Sequence, residues 1–150
     1  MRAGKNFEKV TQKNIRELFS SFKNKNILVI GDVMIDSYLW GTVERISPEA
    51  PVPVLNSTKR ENRLGGAANV ALNLRELGAI PILCSVVGKD EKSGTFHQLL
   101  LDAGMPTKGI IEDSSRITTT KIRIISGNHH LLRVDHETSE PLERKICNTF

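Results

Sequence analysis

The sequence predicts an α/β fold, and three patterns carry that expectation. Two aliphatic runs, Asn26-Ile27-Leu28-Val29-Ile30 and Ile80 to Val87, have the continuous character of strands buried on both faces of a parallel sheet. Between them Ala67, Val70, Ala71, Leu74 and Leu77 recur at helical spacing. Beyond Thr118 the period falls to two, with Ile122 and Ile124 alternating with Lys121 and Arg123, so hairpin structure is added to the strand–helix alternation.

The elements follow in order. Val10, Ile15, Leu18, Phe19 and Phe22 lie on one side of an amphipathic helix within residues 1–25. The first buried strand closes on Gly31-Asp32. A proline-bearing stretch, Ser47 to Pro53, is flanked by β-prone pieces and reads as extended or hairpin structure outside the sheet core. Gly65-Gly66 opens the next helix and Gly78 stops it. After the second buried strand, Asp90 or Ser93 caps a helix through Phe96, Leu99 and Leu100 that ends at Gly104. Ile110-Ile111 gives a short strand. Gly127-Asn128 turns a hairpin whose return carries Leu132 and Val134. Ser139 or Glu140, with Pro141 at the first helical position, starts a last helix bearing Leu142, Ile146 and Phe150. Only about three core strands are counted, fewer than the ~4–6 of an ordinary sheet, so the chain reads as the front half of a larger domain.

Composition narrows the class. With 150 residues, 39% hydrophobic and 25% charged, this is the size of one ordinary domain. No run approaches the ~18–20 apolar residues of a membrane span, and no secretory leader is expected. Cys84 and Cys147 form neither a disulfide framework nor a zinc pattern, which points to a reducing cytoplasm. The net charge of +4 is local, since residues 1–25 carry +5 and the remainder −1. A solvated helix face accounts for it better than a nucleic-acid surface, and 5% aromatic residues leave little to stack on bases. No metal site is expected from the four histidines, because His129 and His130 would point to opposite faces of a strand and the others are remote.

Two segments can carry chemistry. Gly31-Asp32-Val33-Met34-Ile35-Asp36 follows the first strand, at the edge where ligands gather in open α/β sheets, and places Asp32 and Asp36 to accept hydrogen bonds from hydroxyls. In Gly65-Gly66-Ala67-Ala68-Asn69-Val70-Ala71, paired glycines at a helix start let a ligand approach bare backbone, and the Asn69 amide both donates and accepts. Neither segment has the spacing of a dinucleotide fingerprint or a P-loop.

Together these segments resemble the ribokinase-like (PfkB) carbohydrate kinases. Gly65-Gly66 is followed by Asn69 and Ala71, then six residues to Gly78 and nine to Gly88, while Gly31, Asp32 and Asp36 match the early Gly-Asp…Asp motif. The run Arg45 to Val54, with Thr120-Lys121-Ile122-Arg123 and Leu132-Arg133-Val134-Asp135, is similar to the branch that phosphorylates heptose 7-phosphate. One departure is Ser37, where relatives often carry a basic residue; it bears on the finer substrate contacts.

The resemblance implies a three-layer α/β/α sandwich with an accessory β-lid, here from segments about 38–58 and 119–135, with residues 26–150 forming the N-terminal part of the kinase domain. It implies ATP- and Mg²⁺-dependent phosphorylation at the anomeric hydroxyl and a homodimer formed through the lid. Asp36, Gly65, Gly66 and Asn69 would hold sugar hydroxyls, and Asp135 would reach the sugar from the return strand. Lys121, Arg123 and Arg133 are the cations for the substrate's phosphate. The Gly-Ala-Gly-Asp signature that supplies the family's base is absent from the sequence, so the base and most of the nucleotide pocket are expected in the other half of the family domain.

Overall fold

The computed structural model describes residues 11–149. In chain order the elements are α1 (Gln12–Phe22), β1 (Asn26–Ile30), β2 (Val33–Ile46), β3 (Pro53–Gly66), α2 (Ala67–Glu76) and β4 (Ile80–Gly88). They continue with α3 (Glu91–Asp102), β5 (Ile110–Asp113), β6 (Thr120–Ser126), β7 (His129–His136) and α4 (Arg144–Cys147). Two sheets result. A parallel one has the order β1-β4-β5, and a mixed one has the order β3-β2-β6-β7.

Local chemistry sets the helix boundaries. Thr11 and Asn14 form a reciprocal capping box at the start of α1. Val10 lies outside the described residues, while Ile15, Leu18 and Phe19 are exposed, so α1 is amphipathic but its apolar face is uncovered. Gly66, at φ +58°, turns the chain from β3 into α2, and Gly78, at φ +91°, ends that helix. Asp90, rather than Ser93, caps α3 by accepting from the Ser93 N–H at 2.9 Å.

The core lies between one face of the parallel sheet, the two helices on it, and the roots of β2 and β3. Leu83 and Val87 of β4 meet Ala68 and Ala71 of α2, Phe96 and Leu100 of α3, and Val33, Ile35 and Leu64 of the mixed sheet. Phe96 is fully buried, and truncation to alanine there costs ~3–5 kcal/mol. This packing fastens the mixed sheet to the carboxyl end of β1.

Three expectations need correction. The aliphatic strands are not buried on both faces: Leu28 is 58% and Ile30 66% exposed, and Ile80 and Ile82 share that open face. The helices α2 and α3 pack on the other side of this sheet. The strands of the mixed sheet are also longer than the β-prone pieces suggested. β2 and β3 each run fourteen residues, and Asp36 sits inside the first of them. Finally, the last helix starts at Arg144 after Glu143, not at Pro141. Arg116 donates to the carbonyls of Glu140 at 3.0 Å and Thr138 at 3.3 Å, and the Ile117 N–H donates to Thr138 Oγ1. These bonds hold the preceding segment extended.

Candidate functional site

The register of the mixed sheet assembles the site. Side chains alternate along a strand, so Met34, Asp36, Tyr38 and Trp40 share one face of β2 while Val33, Ile35 and Ser37 point into the core. Asp36 is opposite Arg63 on β3 and beside Lys121 on β6, which in turn faces Asp135 on β7. The next row along the same face is Glu61, Tyr38, Arg123 and Arg133. Five predicted residues, Asp36, Lys121, Arg123, Arg133 and Asp135, therefore lie on a single surface. Ser37 is 1% exposed on the opposite face, so its departure from the family pattern leaves this surface untouched.

The paired glycines border the same surface. A Cβ on Gly65 would stand 2.6 Å from Met34 Cγ and 2.7 Å from Asp36 Oδ2, so only hydrogen keeps that carboxylate in place. On Gly66 it would stand 2.3 Å from the carbonyl oxygen of Asp32, which accepts the Ala67 N–H at 2.8 Å. Asn69 is exposed in the first turn of α2. Asp32, Met34, Lys121 and Glu137 line a polar cleft of about 450 Å³ between the two sheets.

Every carboxylate on this face has a cation. Arg123 pairs with Asp36, and that hydrogen bond is the main reason its guanidinium is held even more firmly protonated than usual. Lys121 Nζ lies 2.9 Å from Asp135 Oδ2 and 3.0 Å from Glu137 Oε2, and the bond to Asp135 chiefly raises its pKa. Asp135 is lowered by Lys121 first, with Arg133 at 2.9 Å adding to the effect. Glu61 is held at about 2 by Arg63 and then Lys59. Asp135 is thus engaged with two cations.

Several members of the surface were not among the expected residues. Arg63 and Lys59 belong to the run Lys59-Arg60-Glu61-Asn62-Arg63, whose mixed charges resemble a solvated segment. Its period-two alternation was the available signal. Tyr38 stacks on Trp40 with ring centres 5.3 Å apart, and cations flank the pair: Lys59 over Trp40, and Arg63 and Arg123 at Tyr38.

Residues 24–146 match the family model described as pfkB family carbohydrate kinase. The chain is 45% identical over 131 residues to a bifunctional protein HldE of Geobacter metallireducens, covering 87% of this chain and 27% of that protein. It is 52% identical over 122 residues to one from Helicobacter pylori strain J99, covering 81% and 26%. The chain thus spans about a quarter of the length of these relatives. In backbone shape it is similar to a putative sugar kinase from Clostridium perfringens, with a TM-score of 0.63 and 15% identity over 85% of this chain and 40% of that one. A putative ribokinase from Agrobacterium tumefaciens gives 0.60 at 18% identity, over 75% and 36%. The paired glycines, the carboxylate beside them and the attached second sheet are therefore the local signs of a relationship that covers most of the sequence: the chain belongs to the pfkB family of carbohydrate kinases.

Proposed function

We propose that the full-length protein phosphorylates heptose 7-phosphate at its anomeric hydroxyl, giving heptose 1,7-bisphosphate for ADP-heptose and lipopolysaccharide core synthesis, and that this chain carries the sugar side. The observation that carries the reading is the Asp36 surface. A carboxylate stands beside bare glycine backbone, and Arg123 and Arg133 are attached one register row further out. Two residues along a strand span ~6.6 Å, which suits a sugar with ring hydroxyls at one end and a phosphate at the other. Similarity to the HldE proteins supports the same substrate class.

In this reading Asp36 accepts hydrogen bonds from sugar hydroxyls, and the backbone at Gly65 and Gly66 admits the ring closely. Asn69 closes the inner side, and Arg123, Arg133 and Lys121 meet the phosphate. ATP would supply the transferred phosphoryl group and Mg²⁺ would neutralise its charge. The Gly-Ala-Gly-Asp signature is absent from this sequence, and the nucleotide side is therefore assigned to the remainder of the family domain. A reaction that uses ATP and a sugar phosphate would run in the cytoplasm. No described helix is long and apolar enough to cross a membrane.

The apolar face of the mixed sheet, where it extends past the core, would pair two subunits. Ile122, Ile124, Leu132 and Val134 share that face, and Leu132 is 57% exposed. A substrate panel tests the main reading: full-length protein should turn over heptose 7-phosphate well above fructose 6-phosphate and ribose. Preference for either of those sugars would make it a kinase of another substrate. Sugar binding without turnover of any would make it a non-catalytic sugar-binding protein.

A further inference from the structure

One oxygen of Asp36, Oδ1, is engaged in this structure by Arg123. The guanidinium carbon of Arg123 also lies 5.3 Å from the ring centre of Tyr38, and that of Arg63 lies 4.9 Å from the same ring. These arginines come from the two strands on either side of β2, so guanidiniums from both neighbours converge on one tyrosine. One is engaged with the carboxylate facing the sugar. The other bonds Glu61 at 2.5 Å.

Both engagements are exchangeable in kind. Guanidinium binds phosphate with the same two-point geometry it uses for carboxylate, and a phosphate dianion carries more charge than either Asp36 or Glu61. An aromatic face beside each guanidinium can hold it while its anionic partner changes. Asp36 cannot offer all its acceptor sites to hydroxyls while Arg123 occupies one oxygen.

We propose that Arg123 is a transferable counter-charge, which neutralises Asp36 in the empty site and passes to the substrate's phosphate, with Arg63 as the second guanidinium of that phosphate site. The inference rests on the reading of Asp36 as the sugar-binding carboxylate. It adds that the phosphate is more than an anchor: its arrival frees the residue that orients the ring. A sugar without phosphate meets a carboxylate with one oxygen already engaged, so selection for phosphorylated sugars is built into one ion pair.

The test presents the substrate in two pieces to the full-length protein. With unphosphorylated heptose as acceptor, added phosphite dianion should raise kcat/KM roughly tenfold or more, and Arg63→Met and Arg123→Met should each abolish the activation. Arg63→Met should also raise KM for heptose 7-phosphate roughly tenfold. A second readout needs no turnover. Trp40, stacked on Tyr38, should change its fluorescence as phosphite binds, with the midpoint moved roughly tenfold higher in Arg63→Met and the signal assigned by Trp40→Phe. Turnover of heptose 7-phosphate without phosphite activation, or with Arg63→Met behaving as wild type, overturns the proposal and leaves the functional reading standing. No turnover of heptose 7-phosphate, with an Arg63-dependent Trp40 response, overturns the functional reading and retains the phosphate site. Absence of both removes both.

Discussion

Asp90 and Thr118 are joined twice: the Asp90 carboxylate accepts the Thr118 amide N–H at 2.7 Å and its hydroxyl at 2.8 Å. Thr118 precedes β6, the strand that carries Lys121 and Arg123, whereas Asp90 caps α3 at the end of β4. The two bonds therefore fix the start of the cation-bearing strand to the parallel sheet. Burial by itself would raise the Asp90 pKa, but the bonds from Thr118 and Ser93 together hold it below the usual carboxylate range. Asp90→Ala removes the cap and leaves the Thr118 N–H unpaired, a loss of about 2–4 kcal/mol in thermal or urea unfolding. Because β6 then loses its anchor, KM for the sugar phosphate should rise in the same variant. Unfolding at the wild-type midpoint would show that the corner is held by other contacts.

Asp36→Asn keeps the shape of the side chain and removes its charge. A charge-assisted hydrogen bond contributes ~1.5–3 kcal/mol, so kcat/KM on the sugar phosphate should fall roughly ten- to a hundredfold. The melting temperature should move little, since Asp36 stands on the ligand-facing side of β2 rather than in the core. Steady-state kinetics with wild-type values would reduce Asp36 to a structural partner of Arg123.

The two glycines should fail differently when given a methyl group. At Gly65 the new Cβ meets the flexible Met34 side chain and the Asp36 carboxylate, both of which can shift, so Gly65→Ala displaces Asp36 and weakens sugar binding more than it weakens the fold. At Gly66 the obstacle is the Asp32 backbone and φ is +58°, so Gly66→Ala should cost about 1–3 kcal/mol of stability. Calorimetry and sugar titration on the pair separate the cases. Equal loss of stability in both would contradict the assignment of Gly65 to ligand access.

Acid should loosen the charged face at a defined pH. Glu61 is lowered in the folded state, so its contribution is complete above its ordinary value of 4.5 and is lost as pH falls toward about 2. Asp135 is lowered in the same direction by Lys121 and Arg133. Trp40 lies beside Lys59, a partner of Glu61, and its fluorescence should therefore change between about pH 4.5 and 2. Glu61→Gln should remove that transition. A transition unaffected by the substitution would assign it to other carboxylates.

Burial by a second subunit of the apolar face that extends past the core predicts that sedimentation velocity of the full-length protein gives a dimer and that Ile124→Glu gives a monomer. A charge placed on a buried apolar interface is strongly disfavoured. Wild-type protein sedimenting as a monomer would leave Ile122, Ile124, Leu132 and Val134 as an open sheet surface.

Much of this protein is decided within short windows of sequence. The cap at Asp90, the stop at Gly78, the turn at Gly127-Asn128 and the alternation of Ile122 and Ile124 with Lys121 and Arg123 are all local, because capping, turn geometry and side-chain period depend on neighbours a few residues away. The paired glycines at a helix start and the Gly-Asp…Asp run were each legible for the same reason, but it is the β2–β3 register that sets Gly65 beside Asp36. Other features needed the chain brought together in space. Leu28 and Ile30 read as doubly buried, yet exposure depends on what packs against a strand, and α2 and α3 cover only one side. Arg63 is separated from Asp36 by a hairpin loop, and only the β2–β3 register sets them opposite each other. The choice of counter-charge was likewise tertiary: Lys121 is the register neighbour of Asp36, but it turns to Asp135 and Glu137, which leaves the Asp36 carboxylate to Arg123 from the next row. Periodicity fixes which face a side chain occupies, whereas the partner it finds there depends on strands that meet only in the folded sheet.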